Sequence, residues 1–237
     1  MRKTLFLLLA VTLFLSSCAE LGSVKYRRYP QNPFNDIKTI AILPFLNDTT
    51  ENIDTKNFAN IFATELVKFE GGKGFEVIRP VKVLSALQSY KAPINTIEDL
   101  VEFGKFLKAD ALIAASITDY DQYPPPKLAI SVQMFRIKEN KLSNDDINKI
   151  IQSASWKPFR ITDKEAGNVI AAIERVYDSH KDSVRSELQS YAKAHYEEDY
   201  AFKDGTLFMY DSSRYQQFVS SQILLEIMSM VKDEENK

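Results

Sequence analysis

Between residues 37 and 137, short apolar runs typical of buried strands alternate with longer segments whose apolar residues recur at helical spacing. The runs that predict strands are residues 37–45, 75–78, 111–117 and 128–137. The segments that predict helices are residues 58–69, 81–90 and 97–107. Their order along the chain, β-α-β-α-α-β-β, predicts an α/β fold of the three-layer sandwich type, because helices between strands must pack on the faces of one sheet.

Residues 1–17 are organised like a secretory signal peptide. Arg2 and Lys3 give a basic start, and an almost purely apolar run follows from Thr4 to Leu15. A helix over that run would be about 18 Å long, whereas the apolar core of a bilayer is about 30 Å thick. The run is therefore predicted to direct secretion and to be removed, rather than to span a membrane.

The apolar run ends in Leu15-Ser16-Ser17-Cys18, which resembles the lipobox of bacterial lipoproteins. The only cysteine of the chain stands at the position that a lipobox requires. The resemblance implies cleavage before Cys18 and attachment of lipid to its sulfur, and two or more acyl chains give a stable anchor. The alternative is an ordinary signal peptide that contains a cysteine. Because Ala19 is not the aspartate that retains enterobacterial lipoproteins at the inner membrane, the resemblance implies the outer membrane.

Residues 18–36 are predicted to be the lipidated cysteine and a flexible tether, because they show no amphipathic period and include two prolines. The single cysteine excludes a disulfide bond within the chain and a zinc site built on several cysteines. The net charge is only −2. No overall electrostatic field favours nucleic acid, so no nucleic-acid partner is expected.

Short motifs of the α/β region carry a family resemblance. They are residues 43–49 (LPFLNDT), 75–78 (FEVI), 104–105 (GK), 109–113 (ADALI) and 117–118 (IT). In this order and spacing they are similar to segments of the CsgG/LpoB-like lipoproteins, and the same region, residues 37–137, resembles the N-terminal domain of TolB. The sequence departs from the pattern at Lys108, where the family often has glycine. The resemblance implies partner proteins in the cell envelope rather than a reaction.

Residues 163–200 contain a stripe of apolar and aromatic residues that predicts one long helix. Members of the stripe recur at steps of three or four from Ile170 to His195, and the segment has no proline. A helix of roughly 35 residues would be about 50 Å long, which exceeds the diameter of the α/β domain. Residues 138–205 are therefore predicted to be a largely helical insertion into that domain.

The middle of this stripe is the predicted contact with a partner, formed by Val184, Leu188 and Tyr191 with Leu188 near the centre. A second copy of the chain or another envelope protein would bind there. The alternative is that the aromatic-rich segment 202–218 covers the stripe within the same chain. Residues 206–231 are expected to pack on the α/β domain, because their final helix is apolar on most sides.

The sequence contains no arrangement of residues that indicates catalysis. His180 and His195 would lie about 22 Å apart along the predicted helix, which is too far to share a metal ion. The glycine-rich residues 70–74 follow a helix and precede a strand, whereas phosphate-binding loops run from a strand into a helix. Neither a metal site nor a cofactor is expected, and the chain is not predicted to be an enzyme.

Residues 123–126 (YPPP) are interpreted as a stiff connection between strands, with a polyproline binding segment as the alternative.

These observations together predict a membrane-anchored lipoprotein that faces the periplasm, and the context of the lipobox favours the outer membrane. Its predicted role is protein–protein binding in envelope assembly, trafficking or regulation, and its expected partners are envelope proteins or a second copy of the chain. Two alternatives stay open. One is a CsgG-like secretion-pore subunit, for which residues 128–137 would supply one membrane strand. The other is a lipid-anchored envelope hydrolase, whose two catalytic carboxylates could come from anywhere in the sequence.

Overall fold

The structure is a computed structural model that describes residues 32–69, 74–94, 96–137, 169–196, 202 and 204–235. The predicted signal peptide, the lipobox with Cys18 and the first part of the predicted tether lie outside the described residues. Residues 138–168, which form the first part of the predicted insertion, lie outside them as well.

One mixed sheet and five helices make up the described chain. The strands are β1 (Thr39–Ile42), β2 (Leu46–Asn47), β3 (Glu76–Ile78), β4 (Ala111–Asp121), β5 (Lys127–Arg136) and β6 (Val169–Asp178). The helices are α1 (Thr55–Val67), α2 (Pro80–Ser89), α3 (Ile97–Phe106), α4 (Asp182–His195) and α5 (Ser212–Glu235). A single turn of 3-10 helix, Thr206–Met209, precedes α5. The predicted α/β fold is confirmed.

The sheet has the strand order β3-β1-β4-β5-β6, and the short strand β2 pairs with β4 beyond the end of β1. Strands β3, β1 and β4 run parallel, whereas β4, β5 and β6 are antiparallel neighbours. A parallel neighbour needs a crossover connection, and α1, α2 and α3 occupy those crossovers. Strand β5, which corresponds to the fourth predicted strand, is paired along both of its edges.

Alternating side chains of the sheet divide the interior into two cores. On β1, Ile40 and Ile42 belong to the first core, whereas Ala41 and Leu43, which directly follows the strand, belong to the second. Helices α1, α4 and α5 cover the first face, and α2 and α3 cover the second. This arrangement follows from the period of two in a strand, since a strand covered on both faces must be apolar at every position.

Helix α3 begins and ends with motifs that the sequence encodes locally. Thr96 and Asp99 form a capping box, in which each side chain accepts a hydrogen bond from the other residue's backbone N–H. At the other end, the Ala109 N–H donates to the Gly104 carbonyl and the Lys108 N–H to the Lys105 carbonyl, which is a Schellman motif. Lys108 therefore has a φ of 57°, a left-handed conformation that glycine adopts more easily. This conformation is a physical reason for the glycine that the family resemblance predicts at this position.

The single long helix predicted over residues 163–200 is wrong where the structure describes it. Residues 169–178 form β6, the edge strand of the sheet, and helix α4 begins only at Asp182. Ala171, Ile173 and Tyr177 face the first core from β6, as the period of a strand requires. The interpretation of residues 138–205 as a largely helical insertion is corrected accordingly, because β6 is part of the sheet itself.

The predicted tether also ends earlier than residue 36. Phe34 is buried in the first core, with its ring 6.1 Å from that of Phe75. The Asn32 side chain accepts a hydrogen bond from the Phe34 N–H and donates one to the Ile37 carbonyl. The chain is therefore fixed to the domain from Asn32 onward.

Among the residues that the structure describes, no helix combines the length and the apolar composition needed to cross a bilayer.

Candidate functional site

The predicted contact residues Val184, Leu188 and Tyr191 lie on the inner side of α4, where the chain's own first core buries them. The Tyr191 ring packs edge-on against Phe208 and Phe218, each at a centroid distance of 5.8 Å. The expectation of an exposed contact at these three residues is therefore corrected. The alternative, in which the aromatic C-terminal segment covers the stripe within the same chain, is what the structure shows.

Aromatic residues of the C-terminal segment surround one arginine. The guanidinium of Arg214 lies 3.8 Å from the ring centroid of Phe202 and 5.5 Å from that of Tyr196. Both rings also contact Phe208, which is fully buried. Arginine over an aromatic face is a stabilising arrangement in proteins, so this cluster holds the segment before α5 against α4.

Buried hydroxyl groups join α5 to the end of β6. The Tyr215 hydroxyl donates to the carbonyl of Tyr177 at 3.0 Å, and the Ser179 hydroxyl donates to the Tyr215 oxygen at 3.0 Å. Burial raises the pKa of Tyr215 to about 12, and burial also raises the pKa of Tyr177. These hydroxyls therefore stay protonated at neutral pH, and their geometry is that of a structural link rather than an activated nucleophile.

The two histidines have separate local partners. The Nδ1 atom of His180 lies 2.9 Å from a carboxylate oxygen of Asp178, and the backbone N–H of His180 donates to that same oxygen. These hydrogen bonds lower the pKa of the Asp178 carboxyl. The Nδ1 atom of His195 lies 2.8 Å from the Tyr191 carbonyl. Within the described ranges, no group of three or more histidine, cysteine, aspartate or glutamate side chains is placed to hold a metal ion.

One carboxylate, that of Glu65 on α1, is fully buried. Burial raises its pKa, and the ammonium group of Lys68, one helical turn away, opposes that shift with an ion pair at 2.5 Å. Catalytic acids can also have a raised pKa next to a cation. Glu65, however, lines neither the cavity that α2 and α3 cover nor the groove between β6, α4 and α5. The pair is therefore assigned to the packing of α1.

A cavity of about 240 Å³ lies between the second face of the sheet and the helices that cover it. We name it the α2–α3 pocket. Its walls are apolar side chains from α2, α3, the segments before and after them, and the LPFL motif after β1. They are Leu43, Pro44, Leu46, Leu87, Ile94, Leu100 and Phe103. No charged residue is among the described residues that line it.

Short side chains form the base of the α2–α3 pocket. Ser116 on β4 is directly opposite Ser131 on β5, and Ala114 is opposite Gln133 two residues further along. Ser116 is only 7% exposed, and its hydroxyl oxygen has no hydrogen-bond partner among the described residues. The pocket thus has a small polar base, formed by Ser116, Ser131 and Gln133, within a largely apolar lining, which is the usual composition of a small-molecule site.

Aromatic side chains stack next to the pocket. The ring of Tyr90 lies 5.1 Å from Phe103, which lines the pocket, and 5.3 Å from Phe106. Phe106 is 51% exposed, so this group of rings connects the pocket wall to the surface.

The sequence alone does not predict the pocket. The one pattern that corresponds to it is the recurrence of small residues at alternate positions of two apolar strands, and that pattern predicts only a buried strand.

A second cavity is an open groove between β6, α4 and α5. Arg175 on β6 makes a two-bond ion pair with Glu226 on α5, at 2.9 Å and 3.1 Å. Lys181 and Glu187 also line this groove, so charges of both signs are present. The paired arginine and glutamate hold α5 against the edge strand.

Two tyrosines at one end of the sheet are the most exposed of the large hydrophobic side chains that the structure describes. Tyr123 lies in the turn between β4 and β5 and is 74% exposed, whereas Tyr210 precedes α5 and is 69% exposed. At this end, the Ser179 N–H donates to the Pro126 carbonyl in the turn after Tyr123, and the Ser179 hydroxyl donates to Tyr215 near the start of α5. We name Tyr123 and Tyr210 the tyrosine end of the domain.

Comparisons with known proteins gave likenesses only at the level of solved structures. No family model matches the chain, and no curated protein matches it. The structure is similar to the lipoprotein GNA1162 from Neisseria meningitidis, at 11% identity over 59% of this chain and 79% of that chain, with a TM-score of 0.38. It is also similar to the hypothetical protein CT253 from Chlamydia trachomatis, at 13% identity over 82% and 98% of the two chains, with a TM-score of 0.41.

The C-terminal domain of LpoB from Salmonella enterica is a third similar structure, at 8% identity over 62% of this chain and 87% of that chain, with a TM-score of 0.34. GNA1162 is a lipoprotein by name, and LpoB is one of the proteins that the sequence motifs resemble. Neither CsgG nor TolB is among these three structures. None of the three TM-scores reaches 0.5, so these likenesses carry no argument about function.

Proposed function

We propose that this protein is a membrane-anchored, periplasm-facing lipoprotein that acts by binding other proteins of the cell envelope. The observation that carries the proposal is the lipobox Leu15-Ser16-Ser17-Cys18, in which the only cysteine of the chain follows a signal-peptide-like segment. The lipid on Cys18 would hold the protein at the outer membrane, with its α/β domain in the periplasm.

The length of chain behind Cys18 sets the range over which the domain could act. The domain begins at Asn32, so residues 18–31 are available as the tether. A chain of that length spans at most about 50 Å when it is fully extended. Partners within the proposal are therefore proteins in, on or close to the same membrane.

Binding accounts for the described side chains better than hydrolysis does. The groups with potential for chemistry have structural partners: Tyr215 with Tyr177, and Glu65 with Lys68. The proposal also ranks above a secretion-pore subunit, because β5, the segment that would supply a membrane strand, pairs on both edges within the sheet.

Replacing Cys18 by serine is expected to abolish lipid attachment completely, because serine has no sulfur to form the thioether. Cells expressing the wild-type chain or Cys18→Ser would be grown with an alkyne-bearing fatty acid, and label on the purified protein would be measured. We expect label on the wild type alone and release of the variant from the membrane fraction. Ser17→Ala, which keeps a small residue in the lipobox, is the matched control and should retain label. Label on Cys18→Ser would contradict the proposed anchor.

The tyrosine end is the proposed surface for the protein partner. Tyrosine is enriched at protein interfaces because its ring supplies apolar area and its hydroxyl a hydrogen bond. Tyr123 and Tyr210 are both exposed, and Ser179 links the segments that carry them through hydrogen bonds to Pro126 and Tyr215. A rigid surface with two exposed aromatic rings would lose little conformational entropy on binding.

A photo-crosslinking amino acid placed at position 123 or 210 is expected to give a discrete adduct with another envelope protein in living cells. Benzoylphenylalanine would replace Tyr123, Tyr210 or Val67, and adducts would be resolved by gel and identified by mass spectrometry. Val67 is the control, because it is exposed at the C-terminal end of α1, at the opposite end of the sheet. The same partner from positions 123 and 210, and none from 67, supports the proposal. Equal adducts at all three positions would count against this surface.

A further inference from the structure

We propose that the α2–α3 pocket is a binding site for a compact, uncharged amphiphile, with an aliphatic body and one hydroxyl or carbonyl group that hydrogen-bonds to Ser116. This inference goes beyond the proposed protein-binding role and does not depend on it. It rests on the size of the pocket, its lack of charge, and the position of one buried hydroxyl.

The pocket has room for about ten non-hydrogen atoms of a ligand. An apolar cavity of about 150 Å³ in a protein core is known to hold benzene, with six carbon atoms. At the same degree of filling, the 240 Å³ of this pocket would accept a chain of about eight or nine carbons with its polar group. The volume is smaller than that of a typical drug-sized site, so only part of a long acyl chain would lie within it.

Most of the small residues at the base of the pocket lie on the second face of the sheet. Ala114, Ser116 and Ser131 face the pocket, whereas neighbouring positions of the same strands carry Ile113 and Ile130 toward the first core. The first core is filled by these larger residues, as close packing of a protein interior requires. On the second face, the short side chains leave open space directly above the paired serines.

The polar chemistry of the pocket selects an uncharged group. The buried hydroxyl of Ser116 can donate or accept one hydrogen bond, and Ser131 lies directly across from it. Among the described residues that line the pocket, there is no lysine, arginine or histidine to neutralise a carboxylate or phosphate. Burying an unpaired charge there would be strongly unfavourable, whereas a hydroxyl or carbonyl would satisfy Ser116.

The probe for the test is a nine-carbon primary alcohol that carries a diazirine and a terminal alkyne. The purified full-length lipoprotein in phosphatidylcholine nanodiscs would be irradiated with the probe, and the labelled residues would be mapped by mass spectrometry. We expect saturable labelling of the residues that line the pocket, such as Leu87 and Ile94. Excess nonanol should suppress that labelling at least tenfold, whereas nonanoate at pH 8 should suppress it less than twofold.

Two variants test the roles of space and of the hydroxyl. Ala114→Leu places a larger side chain at the base of the pocket and should reduce labelling at least tenfold. Ser116→Ala keeps the space and removes the hydroxyl, so the apparent affinity for nonanol should fall about three- to tenfold. Ser186→Leu is the control, because Ser186 is exposed on α4, which covers the other face of the sheet, and it should label like the wild type.

Four results would overturn the proposal. The proposal fails if labelling of the wild type stays at background. This includes the case in which another part of the chain or a partner fills the pocket. Equal suppression by nonanol and nonanoate would overturn the requirement for an uncharged group. Unchanged labelling in a folded Ala114→Leu variant would mean that the probe binds outside the pocket. If Ala114→Leu does not fold, the Ser116→Ala variant decides, and an unchanged affinity for nonanol would contradict the proposal.

Discussion

Leu188→Asp is expected to unfold this protein rather than to produce a folded monomer that has lost a partner. Leu188 is 1% exposed and lies in the first core, together with Tyr191 and Phe218. The substitution removes apolar contacts and buries a carboxylate among the apolar side chains of the first core, where it would be unpaired. The expected loss is at least about 4 kcal/mol of unfolding free energy, which is a large fraction of the roughly 5–15 kcal/mol that stabilises an ordinary domain.

The matched control for this substitution is Ser186→Asp on the same helix. Ser186 is exposed, so the new carboxylate stays in water and the unfolding free energy should change by less than about 0.5 kcal/mol. Thermal unfolding followed by circular dichroism would compare both variants with the wild type. If Leu188→Asp keeps the thermal midpoint of the wild type, residue 188 is not in the core, and that result would favour the exposed contact expected from the sequence.

Local signals in the sequence predicted the N-terminal half of the fold well. The strand β1, the capping box at Thr96 and the helix α3 each depend on residues that are close together in the chain. The left-handed residue Lys108 also follows from a local rule, since a helix that ends in a Schellman motif needs a positive φ at that position. A lysine there costs about 1–2 kcal/mol relative to an unstrained conformation, and the surrounding packing must offset that cost.

Strand β6 could not be recognised from its own periodicity. Ile170, Ile173 and Tyr177 fit a helical spacing of three and four, although Ile173 and Tyr177 equally fit the period of two that the strand displays. The content of β-branched residues favoured a strand, but that preference is weak and depends on context. What decides the structure is the pairing with β5 over the whole length of both strands, which is a long-range interaction.

The α2–α3 pocket shows a different limit of sequence reasoning. Ser116 and Ser131 are opposite each other only because β4 and β5 pair in one particular register. The apolar wall comes from helices whose choice of face depends on the topology of the whole domain. The lipobox is the opposite case, since Leu15 to Cys18 are contiguous in the sequence and the inference about them needs no fold at all.

Phe218→Ala is expected to have the second large effect on stability, because Phe218 joins the main elements of the first core. Its ring is fully buried and lies 5.8 Å from Tyr177 on β6, 5.8 Å from Tyr191 on α4 and 5.9 Å from Tyr215 on α5. Truncation to alanine would remove all three contacts and leave a cavity. The rings of Tyr177, Tyr191 and Tyr215 are too large to rearrange easily and fill it. The expected loss is about 3–5 kcal/mol of unfolding free energy.

The same truncation at an exposed phenylalanine isolates the contribution of burial. Phe106→Ala removes an equal number of atoms at a position that is 51% exposed, so the expected loss is below about 2 kcal/mol. Urea titration followed by circular dichroism would give both values, and a Phe218→Ala midpoint clearly below that of Phe106→Ala is the expected order. Similar losses from the two variants would mean that α5 does not cover the first face as tightly as the contacts of Phe218 require. In that case the apolar stripe of α4, which contains Leu188, would be accessible. A second copy of the chain or another envelope protein, rather than α5, would then have to bury Leu188.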